Sequence, residues 1–418
     1  MDKLTKRLLF FLIRVYSFFV KKDENMITFI STPDFSDNSK SLWKYIEENT
    51  DYRTVWIVSN LELMNNLRKM GIEAYLNKSY EGIKHIIKSK YLVSTHHHFS
   101  MLKIKKQVLV DLWHGVPLKT LGVLENRYKK KKLENFPSKR TDFSIASSEL
   151  SRYALSACLA ADPHKFLVTG QPRNDLLFDE CNISLENIID DASFNMNNKN
   201  IIYMPTFRNG YKERNDGVGI LSSNVFRLED YDKDILEKFL TENNINIILK
   251  LHPFEEKIYL NDEIKNALPK NVYLLKSDYL SNRNLSIYNL LNKFDLLITD
   301  YSSIYFDYML LDRPIIFIDG DIDIYRNKRG FLYQNYDYYM PGHKVHDLNN
   351  FIYAINDALK NDTYRENRNI INNIINEYKD GKSSERVYKK VWLKSNSKWV
   401  KVDPLRPPGV SKRNLMKI

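Results

Sequence analysis

Residues that could move a phosphorylated group stand directly after apolar runs of this sequence. His114 follows the run "QVLVDLW", and Ser302 and Ser303 follow "DLLITDY". A neutral imidazole can remove the proton of an attacking hydroxyl group. Hydroxyl side chains in the first turn of a helix favour a bound phosphate, because the backbone N–H groups there are free. The alternatives are helix capping by Asp300 or Ser302, and a structural hydrogen bond from His114 to the backbone.

Further candidates occupy the same kind of position, at the end of an apolar run. They are Thr206 and Arg208 after "NIIYM", Lys250 and His252 in "INIILKLH", and Gly170, Arg173, Asn174 and Asp175 from the end of "FLVTG" onward. A guanidinium and an imidazole at neighbouring strand ends can bind the same anion. Taken singly, Arg208 also fits a surface position and His252 a structural hydrogen bond. Three such strand ends together favour an anion-binding site.

Parallel α/β units are the elements that must position these residues. Short apolar runs alternate with stretches whose apolar residues recur at helical spacing. The strand candidates of the first half are "MITFIS", "TVWIVS", "IEAYL", "YLVST", "QVLVDLW", "DFSIAS" and "FLVTG". Those of the second half are "NIIYMP", "INIILKLH", "NVYLL", "DLLITD" and "PIIFID". The pattern predicts an α/β fold of two Rossmann-like, doubly wound sheets whose strand ends face a central cleft.

The length of 418 residues predicts two domains with separate cores. The strand pattern is lost between Leu176 and Asn200, in a stretch rich in Asn and Asp. The predicted units are an N-terminal segment at 1–24, a Rossmann-like acceptor domain at 25–180, a Rossmann-like donor domain at 196–380, and a C-terminal helix with a basic tail at 381–418. The C-terminal helix could cross back to the first domain.

The N-terminal segment resembles a helix that lies on a membrane. Its apolar run from Leu8 to Val20 would span about 20 Å as a helix, which is less than the roughly 30 Å of a hydrocarbon core. Arg14 interrupts the run, and lysines flank it. The pattern predicts an amphipathic helix in the interface of an anionic bilayer. The alternatives are a first helix packed on the protein body and an uncleaved signal sequence.

Charge and composition limit the classes of function. The formal net charge of +11 implies an anionic partner, either nucleic acid, an anionic membrane surface or a phosphate-rich substrate. Two cysteines without CxxC spacing favour a reducing compartment. The absence of P-loop, GxGxxG and GxSxG motifs argues against ATP hydrolysis, dinucleotide redox chemistry and esterase chemistry. The clusters at 96–98 and 319–323 lack metal-site spacing, so we expect no metal and no cofactor.

Six segments carry a resemblance to a known family. They are "DLWHGVPLKTLG", "TGQPRNDLL", "YMPTFR", "LKLHPFE", "ITDYSSIYFDYMLLDRPIIF" and "YRNKRGFLY" with a later "PG". Together they resemble the CDP-glycerol glycerophosphotransferase family, the polyol-phosphate transferases of teichoic acid synthesis. The segments occur in family order and span about residues 107–342, so they cover most of both predicted domains.

The resemblance implies a GT-B architecture used for phosphoryl transfer. Polyol phosphate would move from a CDP-polyol, CDP-glycerol in the first instance, to a hydroxyl group of a polyprenyl-diphosphate-linked saccharide, with release of CMP. The enzyme would act peripherally at the cytoplasmic face of the cell membrane, and the basic residues would face the anionic membrane and acceptor. We expect no nucleic-acid partner.

The resemblance also assigns roles to residues of this sequence. His114 is similar to the proposed base of the family, and His252 is the second catalytic candidate, also placed near the donor diphosphate. The candidates for donor binding are Arg208, Thr206, Lys250, Asp300, Ser302, Ser303 and Asp307. The candidates for the acceptor side or the cleft are Gly115, Lys119, Arg173, Asn174 and Asp175. Asp307 matches the family motif but could equally be structural.

Several alternatives stay open from the sequence. The donor could be CDP-ribitol, or the product a capsule polymer that contains polyol phosphate. A nucleotide-sugar 2-epimerase of similar fold would need carboxylates placed for proton abstraction at a sugar carbon, and the sequence offers no persuasive set. A basic nucleic-acid-binding protein would bind with a steep salt dependence. The sequence leaves open the acceptor, the number of transfers, the oligomeric state and any need for a divalent ion.

Overall fold

The computed structural model describes residues 3–125, 137–180, 183–189, 191–207, 224–257 and 268–393. Two features of the sequence analysis lie outside these ranges: Arg208 and the basic tail from residue 394 onward. What was predicted for them stays a prediction, as do the boundaries of the four predicted units.

The first of two parallel sheets is built from apolar runs of the N-terminal half. Its strands are β1 (Asp23–Ile30), β2 (Arg53–Val58), β3 (Ala74–Leu76), β4 (Ser89–Ser94), β5 (Val108–Asp111), β6 (Phe143–Ala146) and β7 (Phe166–Val168). They lie in the order β3-β2-β1-β4-β5-β6-β7. Val, Ile, Leu and aromatic residues fill the strands because helices cover both faces of a parallel sheet.

The second sheet has the same plan. Its strands are β8 (Lys199–Tyr203), β9 (Ile245–Leu249), β10 (Val272–Leu274), β11 (Leu296–Thr299), β12 (Ile315–Ile318) and β13 (His343–Val345). They lie in the order β10-β9-β8-β11-β12-β13 and pair in parallel. The predicted fold class is therefore confirmed. Only β13 was not predicted, because two of its three residues are polar.

Helices connect the strands. In the described residues they are α1 (Lys3–Phe19), α2 (Asp37–Asn49), α3 (Leu61–Lys69), α4 (Tyr80–Lys88), α5 (Glu149–Leu159), α6 (Lys233–Glu242), α7 (Pro253–Glu256), α8 (Ser277–Asn282), α9 (Ile304–Tyr308), α10 (Ile322–Arg329), α11 (Leu348–Lys360), α12 (Arg365–Ile375) and α13 (Ser383–Tyr388). Several begin at a residue whose side chain accepts a hydrogen bond from the first turn, namely Asn60, Ser79, Ser148, Asp232 and Asp347.

Pro117 suits the first position of a helix, so the sequence predicts a helix there. This prediction was wrong. Residues 115–121 have no helical structure, and Lys119 forms an antiparallel bridge with Phe331 of the second half, before a short 3₁₀ helix at Gly122–Leu124. Val116 and Leu118 are both buried in the core of the second half. Residues two positions apart lie on the same face of an extended segment, so an extended chain buries both side chains where a helix would separate them.

The C-terminal helix returns to the first sheet. Val387, Val391 and Trp392 belong to the same buried cluster as Trp56 of β2. The carboxylate of Asp175, after β7, accepts hydrogen bonds from the backbone N–H groups of Ser383 and Ser384 at 2.7 and 2.8 Å. The final described helix therefore ties the two halves of the chain together.

The N-terminal helix α1 lies beside the first sheet and leaves several apolar side chains in solvent. Phe11 is 60% exposed, Leu12 55% and Phe19 78%. The ammonium group of Lys22, just after α1, donates to the carbonyl oxygen of Ile87. No helix in the described part of the chain is long and apolar enough to cross a membrane. The amphipathic role of this helix stays a prediction.

Candidate functional site

The strand order of each sheet reverses between two neighbouring strands. In the first sheet these are β1 and β4, and in the second they are β8 and β11. The loops that follow such strands form the crevice in which doubly wound folds bind ligands. Thr206 follows β8, whereas Asp300, Ser302 and Ser303 follow β11. Four of the candidates for donor binding therefore lie at one such crevice.

His114 lies in a tight turn after β5. Trp113 has a φ angle of 49° and Gly115 one of 131°. A Cβ atom at Gly115 would lie 2.8 Å from Nη2 of Arg173 and 3.8 Å from Oγ of Ser303. The turn therefore needs glycine, both for its backbone conformation and for these close approaches. It brings a histidine of the first sheet next to a serine of the second.

Aromatic rings enclose the imidazole of His114. The ring of His96 is stacked on it, with centroids 4.1 Å apart and an interplanar angle of 5°, and the centroid of Trp113 is also 4.1 Å away. Burial, with smaller contributions from His96 and Arg173, lowers the pKa of His114 well below its ordinary value of 6.5. The ring is therefore neutral at pH 7, which is the form that a general base needs.

The three consecutive histidines occupy the loop after β4. His96 and His97 have φ angles of 62° and 56°. Nδ1 of His97 lies 3.0 Å from Oγ1 of Thr141, and Nε2 of His98 lies 2.8 Å from Oγ1 of Thr32. The three rings thus have different neighbours. Among the described residues, no group of three or more His, Cys, Asp or Glu side chains is arranged to hold a metal ion.

Asp300 organises the crevice of the second sheet. Its Oδ1 accepts a hydrogen bond from the backbone N–H of Thr206 at 2.8 Å, and its Oδ2 one from the guanidinium of Arg227 at 3.2 Å. The hydroxyl oxygen of Thr206 is buried and has no hydrogen-bond partner among the described residues. Sequence reasoning missed Arg227. Its only signal was a basic residue between apolar ones in "NVFRLED".

His252 and Lys250 end β9 in different surroundings. The ring of His252 is stacked on Phe207, with centroids 4.5 Å apart, and burial followed by the charge of Lys250 lowers its pKa. The ammonium group of Lys250 donates to Oγ of Ser277 at 2.7 Å and lies 3.5 Å from a carboxylate oxygen of Glu256. His252 therefore sits beside Phe207 and the predicted donor residues, whereas Lys250 is held by α7 and α8.

Ser302 and Ser303 precede α9, which continues as a short 3₁₀ helix at Met309–Leu311. Ser303 is at the N-cap position, and its side chain makes no capping hydrogen bond. Both serines are partly exposed. Their hydroxyl groups are thus placed at the crevice, next to the turn that carries His114.

Asp307, Arg173 and Asn174 form a buried polar network between the two halves. Asp307 is 1% exposed, and its carboxylate accepts hydrogen bonds from Arg173 at 2.8 Å, Asn174 at 2.8 Å and Tyr288 at 2.7 Å. Arg173 also donates to Asp37 at 2.9 Å. Both carboxylate oxygens of Asp307 therefore accept hydrogen bonds within the protein, which fits a structural role for this residue.

Two other candidates for the acceptor side also make structural contacts. Asp175 caps α13, and burial raises the pKa of its carboxyl group. Lys119 pairs with Phe331 through the backbone, and its ammonium group lies 5.3 Å from the ring centroid of Tyr325. Gly115 is the member of this predicted set that directly adjoins both His114 and Ser303.

Comparison with known proteins places the chain in a family. A family model described as CDP-Glycerol:Poly(glycerophosphate) glycerophosphotransferase matches residues 12–393. The chain belongs to this family. The resemblance carried by the six motifs is therefore confirmed, and the protein is a transferase of the CDP-glycerol glycerophosphotransferase family.

Curated relatives include enzymes named for glycerol phosphate and for ribitol phosphate. The chain is 28% identical over 392 residues to the teichoic acid poly(glycerol phosphate) polymerase of Bacillus spizizenii, covering 86% of this chain and 91% of the relative. It is 27% identical to the teichoic acid glycerol-phosphate transferase of Staphylococcus aureus, with 87% and 92% covered. It is 32% identical to the poly(ribitol-phosphate) polymerase of B. spizizenii, with 68% and 43% covered.

Solved structures share the two-sheet fold of this chain. The wall teichoic acid polymerase TagF is 25% identical, with a TM-score of 0.70, over 92% of this chain and 95% of that chain. A UDP-N-acetylglucosamine 2-epimerase from Listeria monocytogenes is 12% identical, with a TM-score of 0.53, over 90% and 98%. The second likeness concerns the two-sheet fold alone, so it gives no support to the epimerase alternative.

Proposed function

We propose that this protein transfers glycerol phosphate from CDP-glycerol to a hydroxyl group of a lipid-linked acceptor in teichoic acid synthesis, with release of CMP. The observation that carries the proposal is the position of His114, whose ring lies between His96 and Trp113 and whose neighbour Gly115 lies against Ser303 of the second half. Membership of the glycerophosphotransferase family and its teichoic acid relatives support the donor and the reaction type.

The chemistry is an in-line displacement at phosphorus. The acceptor hydroxyl oxygen attacks the β-phosphorus of CDP-glycerol, and His114 takes the hydroxyl proton. The bond between the β-phosphorus and the bridging oxygen breaks, and CMP leaves with the electron pair. A positioned general base typically contributes about 10²- to 10⁴-fold to the rate. Burial that keeps the imidazole neutral makes it available as an acceptor of that proton at pH 7.

Residues of the second sheet hold the donor diphosphate in this proposal. The buried hydroxyl of Thr206 is available to a ligand, because it has no hydrogen-bond partner among the described residues. Ser302 and Ser303 offer hydroxyl groups at the same crevice. Hydrogen bonds and positive charge aimed at the phosphoryl oxygens stabilise the charge that develops as CMP departs. We assign Arg208 and His252 to that role.

The acceptor and the location belong to the same proposal. A lipid-linked saccharide lies at a membrane surface, and α1 exposes Phe11, Leu12 and Phe19 to solvent. Basic residues of the N-terminal segment, such as Lys21, complement anionic lipid, each contributing about 1 kcal/mol near the surface. We propose peripheral association with the cytoplasmic face of the membrane. The 32% identity to a poly(ribitol-phosphate) polymerase, over 68% of this chain, makes CDP-ribitol the second candidate donor.

The test is CMP release by the purified protein. CDP-glycerol and CDP-ribitol are offered in parallel, each with a lipid-linked disaccharide and with the same lipid already carrying glycerol phosphate. Wild type is compared with His114→Ala, and donor binding is measured by calorimetry. We expect CMP release with CDP-glycerol, and a loss of at least about 100-fold in His114→Ala with donor binding retained.

Each pattern of results has a distinct meaning. Release only with CDP-ribitol would show that the donor is CDP-ribitol and that the proposed type of reaction is correct. Release only on the extended lipid makes the enzyme a polymerase, and release only on the disaccharide lipid makes it a primase. Full activity of His114→Ala would show that His114 is not the general base. No release and no binding of either CDP-polyol rules the proposed function out.

A further inference from the structure

The stack between His96 and His114 is a contact that no sequence motif suggested. The two ring planes are nearly parallel, at 5°, with centroids 4.1 Å apart. The other close ring is Trp113, tilted by 34° from His114. His96 comes from the loop after β4 and His114 from the loop after β5, so two separate loops must be held in register for the rings to overlap.

A single buried carboxylate holds both loops in that register. Asp111, at the end of β5, is 0% exposed. Its Oδ2 accepts hydrogen bonds from the backbone N–H of His97 at 2.5 Å and from the hydroxyl of Ser94 at 2.9 Å. Its Oδ1 accepts one from the backbone N–H of Trp113 at 3.0 Å. The anchored residues are therefore the immediate neighbours of His96 and His114.

The anchored backbone is in an uncommon conformation. His96, His97 and Trp113 all have positive φ angles, which cost free energy for residues with a side chain. Such conformations persist where surrounding contacts hold them, and here Asp111 supplies contacts to two of the three. As a result, the imidazole of His96 covers one face of the His114 ring.

We infer that His96 is a positioning residue for His114, whose ring it fixes by stacking and shields from water on one face. The inference rests on the proposed function, because it concerns the group to which we assign proton removal. His96 itself is exposed, so it forms the boundary between the His114 ring and the solvent of the cleft. It acts through His114, and any flat aromatic ring of similar size should serve in its place.

Several charged and titratable groups surround His96 and His114. Those that face His114 or His96 are His97 and His98 from the β4 loop, Asp111 from β5, Arg173 from the β7 loop and Asp37 from α2. Arg173 is itself paired with Asp37 and Asp307. Removing the His96 ring leaves these partners in place and changes chiefly the access of water to His114.

The test compares two substitutions at His96 with a control. His96→Ala removes the stacked ring, whereas His96→Phe keeps a ring and removes its nitrogen atoms. His164→Ala is the control, because His164 is exposed, is paired with Asp162 and is not part of the site. Both positions are exposed, so the three variants are expected to fold, and thermal unfolding checks this.

Three quantities are measured for each variant, in two experiments. The first is the pKa of His114 by NMR of protein labelled with ¹³C-histidine, with the signal assigned by its loss in His114→Asn. The second is kcat and KM for CDP-glycerol in CMP release. In His96→Ala we expect the pKa of His114 to rise toward 6.5 and kcat to fall about 10-fold, with KM for the donor unchanged. His96→Phe should keep the kcat and KM of wild type and most of the lowering of the His114 pKa, because the ring that excludes water remains. His164→Ala should match wild type in all three quantities.

The outcomes separate this inference from the proposed function. An unchanged pKa of His114 in His96→Ala overturns the inference, whatever the activity. Equal loss of kcat in His96→Ala and His96→Phe also overturns it, because the imidazole and not the stack would then be required. If wild type releases no CMP from any donor, the proposed function fails, while the NMR titration still decides whether His96 shields His114.

Discussion

At the scale of single residues, stacked rings rather than a carboxylate surround the histidine proposed as a base. The ring of His114 lies between His96 and Trp113, and its pKa is far below the ordinary value. His343 instead pairs with the carboxylate of Asp357 at 2.7 Å. A desolvated site without a carboxylate partner favours the neutral imidazole. The surroundings of His114 therefore suit proton removal at neutral pH.

A prediction about pH follows from the direction of this shift. The base works only when neutral, so kcat/KM falls where His114 becomes protonated. Because the pKa of His114 lies below 6.5, we expect kcat/KM to stay constant from about pH 8 down to about pH 6.5 and to fall only at lower pH. CMP release measured across that range checks it. An acidic limb at or above 6.5 would mean that the His114 ring is solvated, and the residual activity of His114→Asn should lack the limb.

The sequence singled out His114, Ser303 and Asp300 correctly as residues at strand ends, because an apolar run followed by a polar residue is a local pattern. It gave no sign of the partners that decide their chemistry. Arg227 pairs with Asp300 from 73 positions away. His96 was interpreted only as part of a histidine cluster. Such partners are chosen by packing, which no local pattern reports.

At the scale of elements, α1 and the turn after β5 show two different determinants of structure. Helix α1 forms from a continuous run that contains Leu, Lys and Arg and has neither Gly nor Pro, the residues that disfavour a helix most. The segment after Pro117 has no such local preference to follow. It extends because Val116 and Leu118 fit into the core of the second half and because its backbone bonds to Leu332 and Gly330. Propensity decided the first element and tertiary contacts decided the second.

We expect the exposed apolar side chains of α1 to contribute to membrane binding. Phe11→Ser together with Leu12→Ser should weaken binding to vesicles that contain anionic lipid, because both side chains are more than half exposed and would enter the lipid interface. Flotation with vesicles measures this, and activity on a water-soluble acceptor should not change. Leu61→Ser, in the 57% exposed first residue of α3, is the control. Equal flotation of the double variant and wild type would contradict the proposed role of α1.

At the scale of the whole molecule, buried polar contacts join the two halves beside the candidate site. Arg173 links Asp37 of the first half to Asp307 of the second. Nearer the surface, the ammonium group of Lys40 donates to the carbonyl oxygen of Asn284 at 2.6 Å, and desolvation lowers its pKa to about 8. The side chain of Arg173 also lies against Gly115. The contacts that hold the halves together thus reach the turn that carries His114.

Removing Arg173 should destabilise the protein strongly. Arg173→Ala leaves the buried carboxylates of Asp37 and Asp307 without their cation, and breaking a buried pair in this way lowers the free energy of unfolding by about 3–5 kcal/mol. Arg53→Ala is the matched control, because its ion pair with Glu73 is solvent-exposed. Such a pair contributes about 0.2–1 kcal/mol. Urea unfolding followed by tryptophan fluorescence compares the two, and similar midpoints would show that the network adds little.

The sequence by itself determined the two parallel sheets, the helices that begin at capping side chains, and the identity of the polar residues at strand ends. These features depend on residues close together in the chain, through burial pattern and local hydrogen bonding. The tertiary structure alone decided that Arg173 meets Asp307, 134 positions away, that His96 covers His114, and that the segment after Pro117 is extended. Each of these depends on the packing of one sheet and its loops against another, which the spacing of residues along the chain does not encode.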